Sequence, residues 1–248
     1  VAALRRHDVL LYEKEAALGG AVASVASNIP RLYTRELNNI VEWLSTQLQK
    51  MEVKVQLGVE VTPELVAQLQ PDVVILAAGA LPYVPPEPRF QNRKCITVED
   101  YLKKRADVGQ KVVIVGGQHG CETAVSLSRE GKKVTLVEES DSLANTPYIF
   151  GVRRLVLLGY LQEAKVELRL KTQVKEISEQ GVRILRPDGQ EELLEADSVI
   201  LALGEIPNDG LARALEGKVP EIYQVGDCVE PNNIMYAIHS AYRVAKEI

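Results

Sequence analysis

The sequence predicts an α/β protein made of two parallel, doubly wound units. Two observations predict it. The first is an internal repeat. His7-Asp8-Val9-Leu10-Leu11-Tyr12-Glu13-Lys14 lines up with Lys132-Lys133-Val134-Thr135-Leu136-Val137-Glu138-Glu139, and Pro71-Asp72-Val73-Val74-Ile75-Leu76-Ala77-Ala78-Gly79 lines up with Ala196-Asp197-Ser198-Val199-Ile200-Leu201-Ala202-Leu203-Gly204. Both alignments keep one spacing of 125 residues, from 13 to 138 and from 79 to 204. Self-similarity of this kind fixes the architecture before any single motif does. The second observation is alternation. Apolar runs of strand length are separated by segments with helical spacing, the pattern of a parallel sheet covered on both faces.

The elements follow in order. Val1 to Arg6 reads as the last turns of a helix, and Asp8 to Glu13 as a strand. Leu37, Ile40, Val41, Leu44 and Leu48 give a helical stripe over 32–51. Val53 to Leu57 alternates and continues through Gly58 into Val61, so it reads as strand. Asp72 to Ala78 is a buried strand. Leu81 to Arg93 holds four prolines and reads as a connection. The second copy runs strand 111–115, helix 120–130, strand 133–138, helix 150–163 and strand 166–170. Two or three strands then flank Gly181 and the hairpin signal Asp188-Gly189, before a strand at 197–203. The chain leaves this unit after Pro207-Asn208. Glu221 to Val225 is a short strand, and 232–248 is a helix with Ile234, Ile238, Tyr242 and Ala245 on one face. The third strands, at Val53 and Val166, are 113 apart rather than 125, a loop-length change that leaves the strands in place.

Bulk properties narrow the function classes. At 248 residues, 46% hydrophobic and 25% charged, the chain has the composition of a globular protein. A net charge of −5 offers no case for nucleic acid or anionic lipid as partner. No apolar run is long enough to span a bilayer. Cys95, Cys121 and Cys228 form no C-x-x-C pair, which argues against a redox-active disulfide, an iron–sulfur cluster or a zinc site. They read as small buried side chains in a reduced, cytoplasmic compartment. A homo-oligomer is compatible with all of this.

The chemistry-bearing motif is strand 111–115 followed by Gly116-Gly117-Gln118-His119-Gly120 and a helix. Glycines let a backbone approach a pyrophosphate, and a helix N-terminus offers amides and positive potential to the anion. Glu138 ends the next strand, where a carboxylate accepts both ribose hydroxyls of an adenosine. It repels a 2′-phosphate, which favours NAD over NADP. The motif departs from G-x-G-x-x-G, because Val115 stands at the first glycine position if Gly117 and Gly120 take the others. A nucleotide fold that no longer binds is the competing reading. Glu13, followed by Lys14, occupies the place of Glu138 in the first copy and is expected at a second adenosine ribose. Leu18-Gly19-Gly20 forms a loop able to approach a phosphate or flavin. Ala78-Gly79 and Gly204 close strands at the carboxyl edge where such sheets bind ligands, or simply make tight turns. Gly226-Asp227 follows the last strand, where the aspartate either meets a polyol chain or caps the turn. The helix start near Met235 to Ile238 suits a reduced ring. His119 and His239 are candidate acids or bases, although a lone histidine more often makes ordinary hydrogen bonds. Neither a nucleophilic triad nor metal-ligand spacing is evident, and hydride transfer between cofactors requires neither.

Taken together, these segments resemble the C-terminal two-nucleotide half of the NADH:flavin oxidoreductases related to 2,4-dienoyl-CoA reductase and trimethylamine dehydrogenase. The resemblance covers nearly the whole chain. It implies two Rossmann-like three-layer nucleotide-binding domains, the second inserted in the first. Residues 1–106 and 215–248 would form an FAD part, without its N-terminal strand and glycine loop, and 107–214 an NAD(P)H part. Glu13 would bind the FAD ribose, and Gly19 and Gly20 would lie near the flavin or its phosphates. Asp227 would bind the ribitol, with Ala237 and Ile238 near the isoalloxazine. Gly116, Gly117 and Gly120, with Gln118 and His119 between them, would carry the NAD pyrophosphate, and Glu138 its ribose. In complete members a barrel domain holds FMN beside a 4Fe-4S cluster, so the chain is expected to be part of a flavin-dependent NADH oxidoreductase. The alternative is a nucleotide-binding structural or electron-mediating domain of ADP type, without turnover of its own.

Overall fold

The computed structural model describes residues 1–28, 36–144 and 151–248. Two compact units emerge, one of Val1–Ser27, Arg35–Leu81 and Glu205–Ile248, the other centred on Pro82–Gly204.

The first unit opens with a 3-10 turn, Ala3–Arg5, where the sequence suggests a helix end, and then β1 (Leu10–Glu13). The expected glycine loop is short, because Gly20 already begins helix α1 (Gly20–Asn28). Helix α2 (Leu37–Lys50) carries the anticipated apolar stripe; residues 32–35 of the predicted helix lie outside the described residues. Strand β2 (Lys54–Leu57) stops before Gly58, so the predicted continuation to Val61 is not strand. Gly58 has a φ of +70°, which ends the extended run. Helix α3 (Pro63–Leu69) follows, with Thr62 as N-cap accepting the Leu65 amide and Pro63 in the first turn, a start signal legible in Thr-Pro-Glu. Then come β3 (Val73–Leu76) and β4 (Ala80–Pro82).

In the second unit, a 3-10 turn at Pro88–Phe90 precedes β5 (Cys95–Thr97) and the short helix α4 (Val98–Leu102). Thr97 and Asp100 close a reciprocal capping box on α4. The nucleotide-type core is β6 (Lys111–Val115), α5 (Gln118–Arg129), β7 (Lys133–Val137), α6 (Gly151–Glu163) and β8 (Glu167–Arg169). A meander of β9 (Gln173–Ser178), β10 (Gly181–Leu185) and β11 (Glu191–Glu195) precedes β12 (Ser198–Leu201). The chain returns to the first unit through β13 (Glu205–Pro207), which pairs with β4, and continues with α7 (Gly210–Leu215), β14 (Glu221–Gln224) and α8 (Ile234–Glu247).

Unit two is a complete three-layer sandwich. Its parallel sheet runs β5-β12-β6-β7-β8. Alternate side chains face opposite layers. Val112, Ile114, Val134, Leu136 and Ile200 meet the helices in one cluster, while Val113, Val115, Val137, Val199 and Leu201 meet the meander in another. The burial of both faces explains why these strands read as unbroken apolar runs.

Unit one holds the same strand types in two separate pairs, β1-β2 and β14-β3, both parallel. By the repeat, β1 answers to β7 and β3 to β12. In unit two those strands flank β6 on either side. Among the described residues of unit one, no strand stands between β1 and β3. On helix α8, Ile238 and Tyr242 of the expected apolar face are exposed.

Candidate functional site

In unit two, β6, β7 and β12 end in register, Val115 opposite Val137 and Leu201. Their carboxyl ends therefore bring Gly116, Glu138 and Ala202 to one edge. Gly116 makes the turn at a φ of +96°, donating its N–H to the Val137 carbonyl at 2.9 Å. A Cβ there would stand 2.8 Å from the Ala202 carbonyl oxygen. Val115 remains the last buried residue of the strand, so the departure from the three-glycine pattern costs the turn nothing: Gly116 supplies the conformation. Gly117 is the N-cap of α5, and the first bond of the helix runs from the Cys121 N–H to the Gly117 carbonyl at 3.1 Å. The amides of the first turn ahead of that bond face out of the helix end, the arrangement that receives an anion. Gly120 is buried, and a Cβ on it would lie 3.1 Å from Ala202 Cβ and 3.2 Å from Ile114 Cγ2. Its glycine lets α5 settle against the sheet, the third role in such a loop. Gln118 is half-buried and His119 exposed at the same end.

Glu138 follows β7. Its Oε1 accepts the Ser140 N–H at 3.0 Å, its own N–H donates to the Arg169 carbonyl at 2.9 Å, and its carbonyl accepts the Thr172 N–H at 3.1 Å. The carboxylate is thus held in one orientation at the strand end. Gly204 has a φ of +102°, and its carbonyl accepts the N–H of Tyr83, distant in sequence, at 2.9 Å.

Unit one repeats the strand-end loop bond for bond. Glu13 Oε1 accepts the Glu15 N–H at 2.9 Å, and the Glu13 carbonyl accepts the Val59 N–H at 3.0 Å. Lys14 is exposed beside it. Gly19 packs closely, since a Cβ would come within 2.8 Å of both Ala23 Cβ and Val41 Cγ1, whereas a Cβ on Gly20 would meet open space. Beyond β3, the Ala78 and Gly79 carbonyls accept the side-chain and backbone N–H of Asn208 at 3.3 and 3.1 Å. The sequence alone gives Asn208 no such part, because the carbonyls it meets are about 130 residues away. Gly226 turns at a φ of +66°, donates its N–H to Ser240 Oγ at 2.9 Å and lies against Ala237, whose Cβ would be 3.3 Å from a Cβ on Gly226. Asp227 Oδ1 accepts the Asn232 N–H at 3.1 Å, so the aspartate does cap this loop. Asn233 caps α8 by accepting the Tyr236 N–H at 2.9 Å, which sets the helix start at Ile234. Ala237 is half-buried one turn in, and Ile238 faces outward. Glu13 and Gly19 thus stand with β1-β2, and Gly79, Gly226, Asp227 and Ala237 with β3-β14. His239 lines a groove of about 400 Å³ beside α8 with Gln224, Asn232, Tyr236 and Arg243; Asp227 and Ala237 are not part of it.

The thiols are structural. All three cysteines are free, and Cys228 Sγ donates to the Leu76 and Val225 carbonyls at 3.1 Å. Burial pushes the Cys121 thiol up to about 12, which removes it as a nucleophile near neutrality. Among the described residues no His/Cys/Asp/Glu group suits a metal ion, and no helix is long and apolar enough to cross a membrane.

Comparison with known proteins identifies the family. The chain is 32% identical to cinnamate reductase of Clostridium sporogenes, over 100% of its own length and 37% of the relative's. It is also 32% identical to NADH oxidase of Thermoanaerobacter brockii, covering 100% of this chain and 38% of that one. The structure of a 2-naphthoyl-CoA reductase complex superposes with a TM-score of 0.92 at 30% identity, covering 100% of this chain and 37% of that one. The chain therefore spans little more than a third of the length of these relatives. The model of pyridine nucleotide-disulphide oxidoreductases matches residues 7–245. The chain belongs to that family of FAD- and NAD(P)H-binding oxidoreductases, on its 2,4-dienoyl-CoA reductase and trimethylamine dehydrogenase-like branch.

Proposed function

We propose that unit two is the NADH site and unit one the FAD part of a flavin-dependent NADH oxidoreductase. The observation that carries this is the duplicated strand-end loop, in which Glu13 and Glu138 are oriented by identical bonds. Two adenosine riboses are what two such carboxylates suit. Gly116, Gly117 and Gly120 would bring the backbone to the NADH pyrophosphate, with Gln118 and His119 beside it, and Glu138 would take the ribose and exclude a 2′-phosphate. Glu13 would hold the FAD ribose, and Gly19, Gly20, Ala78 and Gly79 would line its path. Gly226 and Asp227 would meet the ribitol, and Ala237 and Ile238 the ring. FAD, when bound, supplies a two-electron acceptor for hydride and a carrier for onward transfer. This chain's own residues bind and orient. None is required to move a proton, which accords with a site lacking an acid–base cluster. The fit is good in unit two, where the glycine cradle and the acid share one edge.

The greater length of the relatives supports an onward acceptor in another domain, an FMN barrel with a 4Fe-4S cluster. Three unpaired thiols support a reduced, cytoplasmic compartment. Cysteine chemistry of the disulphide-reductase kind is not part of this reading, because Cys121 is buried and no pair exists.

The test is direct. Purified chain is incubated with FAD, desalted and titrated anaerobically with NADH, following flavin absorbance and then reduction of a dye. Retained flavin that bleaches with NADH supports the proposal. Binding of NADH and ADP with equal affinity, and no bleaching of retained flavin, supports the alternative of a nucleotide-binding domain without turnover. That alternative has its own observation in the divided sheet of unit one.

A further inference from the structure

Glu122 is an acid at an anion-receiving helix end. It stands in the second turn of α5, the helix whose start forms the glycine cradle, and its side chain is only 17% exposed. Four residues of helix, about 6 Å along the axis, separate it from Gln118. Helical side chains tilt back over the preceding turn. The Glu122 carboxylate therefore lies over the turn whose amides are to receive the pyrophosphate. Besides burial, the charges of Glu122 and Glu138 both raise the Cys121 thiol, so the two acids act on this same turn. An anion arriving at the helix end meets a charge of its own sign within a Debye length, about 8–10 Å at ordinary ionic strength.

Arg153 answers that charge. From the first turn of α6 its Nη2 donates to Glu122 Oε1 at 2.7 Å, with the arginine side chain 60% exposed. The pair is not needed to dock α6. That helix is held by buried Leu157 and Leu161 and by the Arg154 Nε–H on the Leu143 carbonyl at 2.9 Å. Arg129 of α5 adds to this, lying 4.7 Å over the Tyr160 ring and pairing with Glu163 at 3.3 Å. An ion pair as exposed as Arg153–Glu122 adds little to stability. We propose that Arg153 makes the α5 end of unit two receptive to the coenzyme pyrophosphate by neutralising Glu122. It acts through Glu122, as a positioning residue rather than a phosphate ligand. Without it, the Glu122 charge takes the helix potential for itself and repels the phosphates. The inference rests on assigning the coenzyme to unit two.

The experiment titrates the full chain with ADP by calorimetry and with NADH by nicotinamide fluorescence, for the wild type, Arg153→Gln, Glu122→Gln and the double variant. ADP carries the pyrophosphate without the nicotinamide, so it isolates the phosphate end. Arg153→Gln weakens both ligands about two- to tenfold, the scale of one uncompensated charge near a partly buried site. Glu122→Gln binds ADP at least as tightly as wild type. The double variant returns to the wild-type ADP affinity, which neither a lost phosphate ligand nor a lost structural tie would allow. Added salt shrinks the Arg153→Gln loss, because it screens the repulsion. An Arg153→Gln variant as tight as wild type, a loss that persists in the double variant, a loss indifferent to salt, or weaker ADP binding in Glu122→Gln overturns the inference. Wild type that binds neither ADP nor NADH overturns the assignment of unit two itself, and this inference with it.

Discussion

Glu13 and Glu138 close equivalent strands and are held by the same pair of bonds, yet the strands behind them are buried very differently. Ile200 of β12 is wholly buried; its repeat partner Ile75 of β3 is 37% exposed. The three inner strands of unit two, β12, β6 and β7, sit between helices on one face and a meander on the other. The strands of unit one's two separate parallel pairs bury little beyond Leu76. The lesson is that a binding loop and a packed sheet are separable. A strand-end loop is built from local backbone bonds between neighbouring strands, here β1 with β2 or β7 with β8. Burial requires strands and layers brought from elsewhere in the chain.

The largest expected effect tests the packing side of this comparison. Ile200→Ala should destabilise unit two by about 2–5 kcal/mol, the range for a buried aliphatic side chain cut to alanine, and Ile75→Ala should destabilise unit one by less than about 1 kcal/mol. Denaturant unfolding read by hydrogen exchange in each unit checks this, and equal costs would break the comparison. The next effect tests the loops. Glu138→Ala should weaken NADH binding and Glu13→Ala flavin retention, each by about 1.5–3 kcal/mol, as for a hydrogen bond to a charged group. If calorimetry with each ligand shows that only Glu138→Ala matters, the loops are alike in form but not in use. A smaller effect concerns Thr123 of α5, whose buried Oγ1 has no hydrogen-bond partner. Thr123→Val removes an unsatisfied hydroxyl at nearly constant shape and should raise unit-two stability by up to about 1 kcal/mol. A further effect, confined to alkaline solution, is in pH. Burial raises Cys121 and Tyr101 to about 12 in the folded chain. Groups raised on folding stabilise below their unfolded values, and that contribution is lost as pH climbs through the folded ones. The thermal midpoint of unit two should therefore fall between about pH 9 and 12, and Cys121→Ala should flatten part of the slope.

Much of the second unit was legible because its signals are local or doubly buried. Val112 to Val115 and Val199 to Leu201 read as strands from their apolar runs, and Asp188-Gly189 marked its hairpin, which closes with the Gly189 N–H on the Arg186 carbonyl at 3.0 Å. The repeat located Glu13, which no motif in the first unit would have singled out. Other features were hidden by geometry. Val59 to Val61 alternates like a strand, but Gly58 turns the chain aside first. The exposed face of α8 has the apolar spacing of a buried one, and spacing does not say what lies opposite. Asn208 acts on carbonyls distant in sequence, so only the folded chain reveals it. Val115 seemed a defect in the glycine motif until the φ of Gly116 showed which residue makes the turn.

The pairing of β4 with β13 has a consequence for the order in which the chain acquires structure. These short strands stand at the departure from unit one and the return to it, with the whole of Pro82–Gly204 between them. The β14-β3 pair must close across that same stretch, and a closure so distant is entropically dear while the intervening chain is loose. Once the inserted unit has folded, its ends are gathered and the remaining loop is short. Unit two thus acts as an internal clasp. It is expected to refold first and alone, with unit one following at a rate that depends on it. Mutations that slow unit two should delay both units, while mutations confined to unit one should leave the first phase unchanged.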